Sequence, residues 1–398
     1  MVSTEPRLRG DVDEILPGVV ADRRHLHMHP ELGFQEIETS RFVAERLRSL
    51  GVEDIRTGVG KTGITGLIRG TAGEGGKTVL VRADMDALPI EEENEVDYRS
   101  QHEGVMHACG HDTHVSMLLG VARLLTERKD QFSGTVKLLF QPAEEGLGGA
   151  AAMVRDGALE DPKPDGALGM HIWQDAPVGT VWARPGIAMV ASDRFKVVIT
   201  GKGGHGAQPH RTIDPIAVGA QIITALQTLV AREQDPNLPA VVTVGSFHAG
   251  SAPNVIPNTA ELWGTIRTVH QDQREELAAR IKALTEGIAS SMRATAVTEV
   301  MWGVSPVVND PTMTDIVQDA AREVVGADNV AEGPLMVVSE DMSEFLNRVP
   351  GCFFFVGSRN EEKGFTYGHH HPRFDVDEEA LGIGIETMTR SVLGYLVS

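Results

Sequence analysis

Thr78-Val79-Leu80-Val81-Arg82-Ala83-Asp84-Met85-Asp86-Ala87-Leu88-Pro89 decides the architecture of this chain. Its opening residues form a short apolar run that reads as a buried strand, and the acidic residues and proline that follow end it. Upstream, Phe42, Val43, Leu47 and Leu50 recur with helical spacing over Ser40 to Leu50, and Gly51 closes that helix. Downstream, Val115 to Thr126 predicts a helix, and Thr135 to Phe140 and Gly166 to Ile172 predict strands. Strands alternating with helices give an α/β class with a mainly parallel sheet covered on both faces.

The pattern changes from Arg194. Strand (Phe195 to Thr200), helix (Asp214 to Ala231), two strands (Ala240 to Phe247, Thr259 to Thr268), helix (Arg274 to Met292) and strand (Thr295 to Trp302) follow in the order of a split β-α-β, ferredoxin-like α+β unit. The expectation is an inserted lid over residues 186–303, interrupting a first domain made of residues 1–185 and 304–398. In its second part, Cys352 to Gly357 reads as a further buried strand and Glu378 to Leu393 as a helix. A chain of 398 residues accommodates two such cores.

Functional groups of open parallel sheets collect outside the carboxyl ends of the strands. Asp84, Asp86, Glu144, Glu145 and His171 all fall at such predicted ends. Met106-His107-Ala108-Cys109-Gly110-His111-Asp112 adds a thiol and imidazoles, so the donor set is that of a catalytic metal site. On an extended stretch, the side chains of Cys109 and His111 leave the same face and can converge. Adjacent Glu144 and Glu145 diverge if extended, so one can bind metal while the other serves as general base. His107 is read as supporting the ligands rather than joining them, because a catalytic metal keeps one position open.

Other histidines and acidic residues compete for attention. At least one of His369, His370 and His371 is expected to bind metal, whereas His25, His27 and His29, which alternate before Pro30, are set aside because the strand-end donors suffice. Ser339-Glu340-Asp341-Met342 reads as an acidic turn that is structural or supports the ligands rather than binding metal itself. Gly201 to His210 is glycine-rich but lacks either phosphate-loop spacing, so its glycines are expected to present His205 to a substrate. Asn254 and Arg267 flank a lid strand as a polar amide and a guanidinium.

A net charge of −20 argues against nucleic acid or an anionic membrane as partner. No apolar run of about 18 residues stands out, and Met1 to Asp11 lacks a signal-peptide pattern. With two cysteines, Cys109 and Cys352, far apart in sequence, no disulfide framework is expected and a cytoplasmic enzyme fits.

Together these motifs resemble the metal-dependent amidohydrolases that include aminoacylases, hippurate hydrolase and indole-acetyl-amino-acid hydrolases, a branch of the wider aminoacylase and carboxypeptidase group. The likeness runs from His29-Pro30-Glu31-Leu32-Gly33 through Arg82 to Pro89, the Cys109 and Glu144 motifs and the His205 loop to His370. It implies two divalent cations, manganese or zinc with cobalt or nickel also compatible, held by Cys109, His111, Glu145, His171 and His370. It implies Glu144 as catalytic base and Asp86 as an orienting residue. More distant relatives carry a histidine ligand where this chain has Asp84, and Cys109 fits as the compensating donor. His205, Asn254 and Arg267 are then substrate-binding residues, and the lid a surface for a homodimer or tetramer. The substrate implied is an N-acyl amino acid. A dipeptidase or carboxypeptidase with the same site is the alternative; a metal-bound amino-acid binding protein without turnover leaves Glu144 unexplained.

Overall fold

The structure, a computed structural model, describes residues 5–397. The reading of Met1 to Asp11 therefore falls partly, at Met1 to Thr4, outside the described residues. The chain divides into two compact units: residues 1–188, 308–334 and 341–398 form the first, and residues 189–307 with 335–340 form the second. The short return Leu335–Glu340 is a feature that a single insertion does not include.

In the first unit, helices α1 (Glu5–Met28) and α2 (Ile37–Ser49) lead into strands β1 (Glu53–Val59), β2 (Gly63–Arg69) and β3 (Thr78–Asp84), then α3 (His111–Thr126), β4 (Thr135–Gln141), α4 (Gly149–Arg155) and β5 (Gly166–Pro177). The strand Gly351–Arg359 and the helix Glu379–Val397 complete it. At the centre of the eight-stranded sheet, β4, β3, β5 and Gly351–Arg359 run parallel, while β2 joins β4, and β1 joins β2, antiparallel. Every residue of β3 is buried, as a strand covered on both faces requires. Val79, Val81, Leu118, Leu125, Phe140, Ile172, Phe354 and Ile385 belong to one continuous core beneath the polar edge.

Two details depart from the sequence reading. Helix α3 begins at His111, four residues before the predicted start, because Gly110 turns the chain with φ of 90° immediately ahead of it. A Cβ at Gly110 would also lie 2.5 Å from Ile172 Cγ2, so glycine is required there twice over. Strand β5 continues past Ile172 to Pro177, placing His171 inside the strand; its pairing with β3 nevertheless stops at Arg82 and Gly169, so His171 still lies beyond the end of its neighbour.

The second unit is a four-stranded antiparallel sheet in the order Val241–Ala249, Thr259–Thr268, Ala191–Thr200, Thr295–Val304, which is the ferredoxin-like order, with helices Pro215–Thr228 and Gln271–Ser291. The stretch Pro215–Glu233 does reach the length and mean hydropathy, 1.2, of a membrane span, which the sequence reading overlooked. Its Val218, Ile222 and Leu226 are buried in this unit's core, where any amphipathic helix places its apolar stripe.

Candidate metal centre

The carboxyl edge of the parallel strands gathers the expected donors. Ligand atoms of Cys109, His111 and His171 lie within 4.8 Å of one another, as do those of Cys109, Glu145 and His370, and those of His111, Glu144 and Glu145. Cys109 Sγ is 3.5 Å from His171 Nε2, and His370 Nε2 is 3.2 Å from Glu145 Oε1. Convergence of Cys109 and His111 does not come from an extended chain: the left-handed turn at Gly110 brings the thiol and the first residue of α3 to the same place. Likewise Glu144 and Glu145 do not diverge, because they sit in a turn rather than a strand.

That turn is held from several sides. Asp86 accepts the backbone N–H of Glu144 with one oxygen and of Glu145 with the other, both at 3.0 Å. Buried Glu36 accepts the N–H of Ala143 at 2.8 Å, and Ala143 has a φ of 53°, a conformation that a residue with a Cβ keeps only when its surroundings enforce it. Asp341 accepts Gln141 Nε2 at 2.6 Å and the N–H of Ala150 at 3.0 Å, closing the far end.

Each imidazole is oriented as well. His111 Nδ1 meets the carbonyl of Asp86 at 2.9 Å and His171 Nδ1 that of Ile172 at 2.5 Å, so in both rings Nε2 is the nitrogen left to bind a cation. Asp84 is not among the metal-facing donors alone. It accepts Arg82 Nη1 at 2.7 Å and His114 Nδ1 at 2.6 Å, while His114 Nε2 takes the N–H of Ile172 at 2.9 Å. Arg82 continues to Gln141 at 2.8 Å and Asp341 at 3.2 Å, all of it buried.

The charge balance fits a divalent cation. Burial, then the neighbouring Glu145 and Glu144 carboxylates, push the Cys109 thiol well above its ordinary range. Burial works against a charged His111, yet Asp84 and Asp86 outweigh it and raise its pKa to about 10. A cation relieves both conditions, since it stabilises thiolate and carboxylates and takes the proton's place on the imidazole. His111 Nε2 is buried with no hydrogen-bond partner among the described residues, as an uncoordinated ligand nitrogen would be. His171 is held neutral by burial and by nearby His114 and His369.

Residues outside this cluster are equally clear. His107 is buried, is absent from the donor groups, and makes no hydrogen bond with either ring nitrogen among the described residues. His25, His27 and His29 do not alternate across a strand; they lie at the end of a helix, where i and i+2 face different ways. His205, Asn254 and Arg267 belong to the second unit, where His205 pairs with Val255 and Asn254 O accepts the N–H of Gly206 at 2.8 Å. His205 Nδ1 accepts the N–H of Ala207 at 3.0 Å, leaving Nε2–H as donor. Among the described residues Arg267 donates one hydrogen bond, to Ile266 O at 3.1 Å. Sequence reasoning missed His114, although its position three residues after His111 on the same helical face was a usable signal. It also assigned no role to Glu36 or Arg82, whose partners Ala143, Gln141 and Asp341 are remote in sequence.

Thiol, imidazoles and paired carboxylates at the carboxyl edge of a parallel sheet define a metal-dependent hydrolase. The sequence profile of Peptidase family M20/M25/M40 matches residues 80–394, and the chain belongs to that family. It is 44% identical over 382 residues to thermostable carboxypeptidase 2 of Saccharolobus solfataricus, covering 95% of each chain. It is 41% identical over 365 residues to the N-acetyl-L-cysteine deacetylase of Bacillus subtilis, covering 91% of this chain and 84% of that one. Among solved structures, a dinuclear metal binding peptidase of Bacillus subtilis superposes with a TM-score of 0.85 at 34% identity, covering 97% and 99%. The chain is accordingly a metal-dependent amidohydrolase.

Proposed function

We propose that this enzyme cleaves the amide bond of N-acyl amino acids, releasing a carboxylic acid and a free amino acid, with two divalent cations held by Cys109, His111, Glu145, His171 and His370. The observation that carries this reading is the set of overlapping donor groups that share Cys109, His111 and Glu145, one of which includes Glu144, on a turn whose amides Asp86 caps. Bound there, the cations would polarise the amide carbonyl and bring the pKa of a water toward about 7. Glu144 accepts the proton of the attacking water and returns it to the departing amine. Asp86 holds the turn so that Glu144 and Glu145 keep separate tasks. His205, with Nε2–H as its donor, suits the developing oxyanion. Arg267, assisted by Asn254, suits a bidentate grip on the free carboxylate of the amino acid.

The thiolate favours zinc, cobalt or nickel, and manganese is the further candidate. The cytoplasm is the compartment we assign, on the two free cysteines. Self-association through the second unit is assigned to its edge strand Thr295–Val304, where Val297 and Trp302 are exposed. The carboxypeptidase relative supports a second reading, peptide cleavage at the same site. Metal-loaded enzyme given N-acetylmethionine and the dipeptide Ala-Met separates the two. Faster turnover of the acyl compound is expected, and preference for the dipeptide would transfer the assignment to a peptidase.

A further inference from the structure

A separate cluster of imidazoles lines a cavity of about 590 Å³ between α1 and α2, within the first unit and built from residues outside the metal centre. His25 and His29 stand one turn apart at the carboxyl end of α1, with ring centroids 4.8 Å apart at 60°. His102 lies beside them, its ring 6.1 Å from that of His29.

A zinc–nitrogen bond of about 2.1 Å puts a bound ring's centroid about 3.2 Å from the ion, so two rings in tetrahedral array have centroids about 5 Å apart. The His25–His29 pair already has that spacing. The donor atoms of the three rings do not lie within 4.8 Å of one another, so a bound ion must draw exposed His102 toward the His25–His29 pair.

The surroundings prepare the same function. His102 Nδ1 meets the carbonyl of Pro30 at 2.8 Å, so Nε2 is its basic nitrogen, the arrangement by which metal-binding histidines are usually oriented. Phe42 stacks on the His25 ring at 4.8 Å and limits its rotation. The carbonyl end of a helix favours a cation. Asp22, Glu38 and Glu45 outnumber the lining guanidiniums, of which Arg46 is paired with Asp22 and Arg41 with Glu38.

We propose that His25, His29 and His102 form an additional binding site for a borderline divalent cation such as Zn²⁺, Ni²⁺ or Cu²⁺, distinct from the metal centre. Being open and solvent-accessible, it binds more weakly and closes around its ion.

The test counts ions. Enzyme with its metal centre filled is dialysed to equilibrium against micromolar Zn²⁺, and zinc per chain is measured for wild type and for the His25→Gln/His29→Gln variant. One additional zinc per wild-type chain is expected, lost in the variant while turnover is unchanged. With Cu²⁺ in place of Zn²⁺, electron paramagnetic resonance should show nitrogen hyperfine splitting in wild type that the variant lacks. His102→Ala should weaken the additional ion about tenfold or more. Equal zinc in wild type and double variant overturns the site, and equal affinity in His102→Ala removes that residue from it. Because the readout is a difference in ion count, it holds whatever substrate the metal centre proves to take.

Discussion

On its inner face, α1 is locked into the protein beside the metal centre, while its outer face carries exposed His25, with half-buried His29 just past the helix end. Buried Arg23 donates to Asp112 at 2.8 Å and to Asp375 at 2.8 Å, and His27 Nδ1 lies 2.8 Å from the same Asp112, the residue after His111. Among the described residues no ion pair of this kind immobilises His25 or His29, whose contacts are ring packing and a cavity wall. Histidine alone therefore does not make a strong site. What distinguishes the centre is that committed Nδ1 atoms and capped turn amides hold its donor side chains in place.

The largest effect is expected at Glu144. Glu144→Gln should retain the metals but lower kcat by about 10²–10⁴-fold, the worth of a general base; near-normal turnover at saturating substrate would remove it from the chemistry. Arg23→Ala leaves Asp112 and Asp375 buried without their cation and should lower stability by about 3–5 kcal/mol in urea unfolding. An unchanged midpoint would mean that the inner face of α1 is not the anchor it is taken to be. Asp86→Ala frees the amides beneath Glu144 and Glu145 and should weaken metal retention about 10–100-fold, read by chelator competition.

A milder effect concerns pH. Burial opposes a charged His27, but Asp112 and Glu92 outweigh it and raise its pKa to about 9. Because that value exceeds the unfolded one of about 6.5, the stabilisation is full below pH about 6.5 and is lost as pH rises through about 9. His27→Gln should flatten that alkaline decline in the unfolding midpoint. At the small end, His25→Ala should leave kcat within about twofold, as expected for a surface change remote from the chemistry; a large loss would erase the contrast between the two faces.

How legible the site was depended on sequence distance. His171 was recognisable because it follows an apolar strand-like run, and strand ends are where parallel sheets place chemistry; Cys109 and His111 were recognisable by their donor chemistry and spacing. The convergence of Cys109 with His111 was foreseen by the wrong route, since a left-handed glycine and a helix start do what an extended strand was expected to do. Asp341, in the acidic turn Ser339 to Met342, has its partners Arg82 and Gln141 259 and 200 residues away, and no local pattern announces them. The His25, His27 and His29 series looked like one set and is two, because the helix separates its middle member from the others.

By itself the sequence determined the classes of both sheets and the chemical type of the donors, because period, turn residues and side-chain chemistry are local properties. Tertiary structure alone decided which carboxylate grips which amide, which ring nitrogen keeps its lone pair and which histidines face inward. Those outcomes depend on contacts between segments that meet only when the chain has folded.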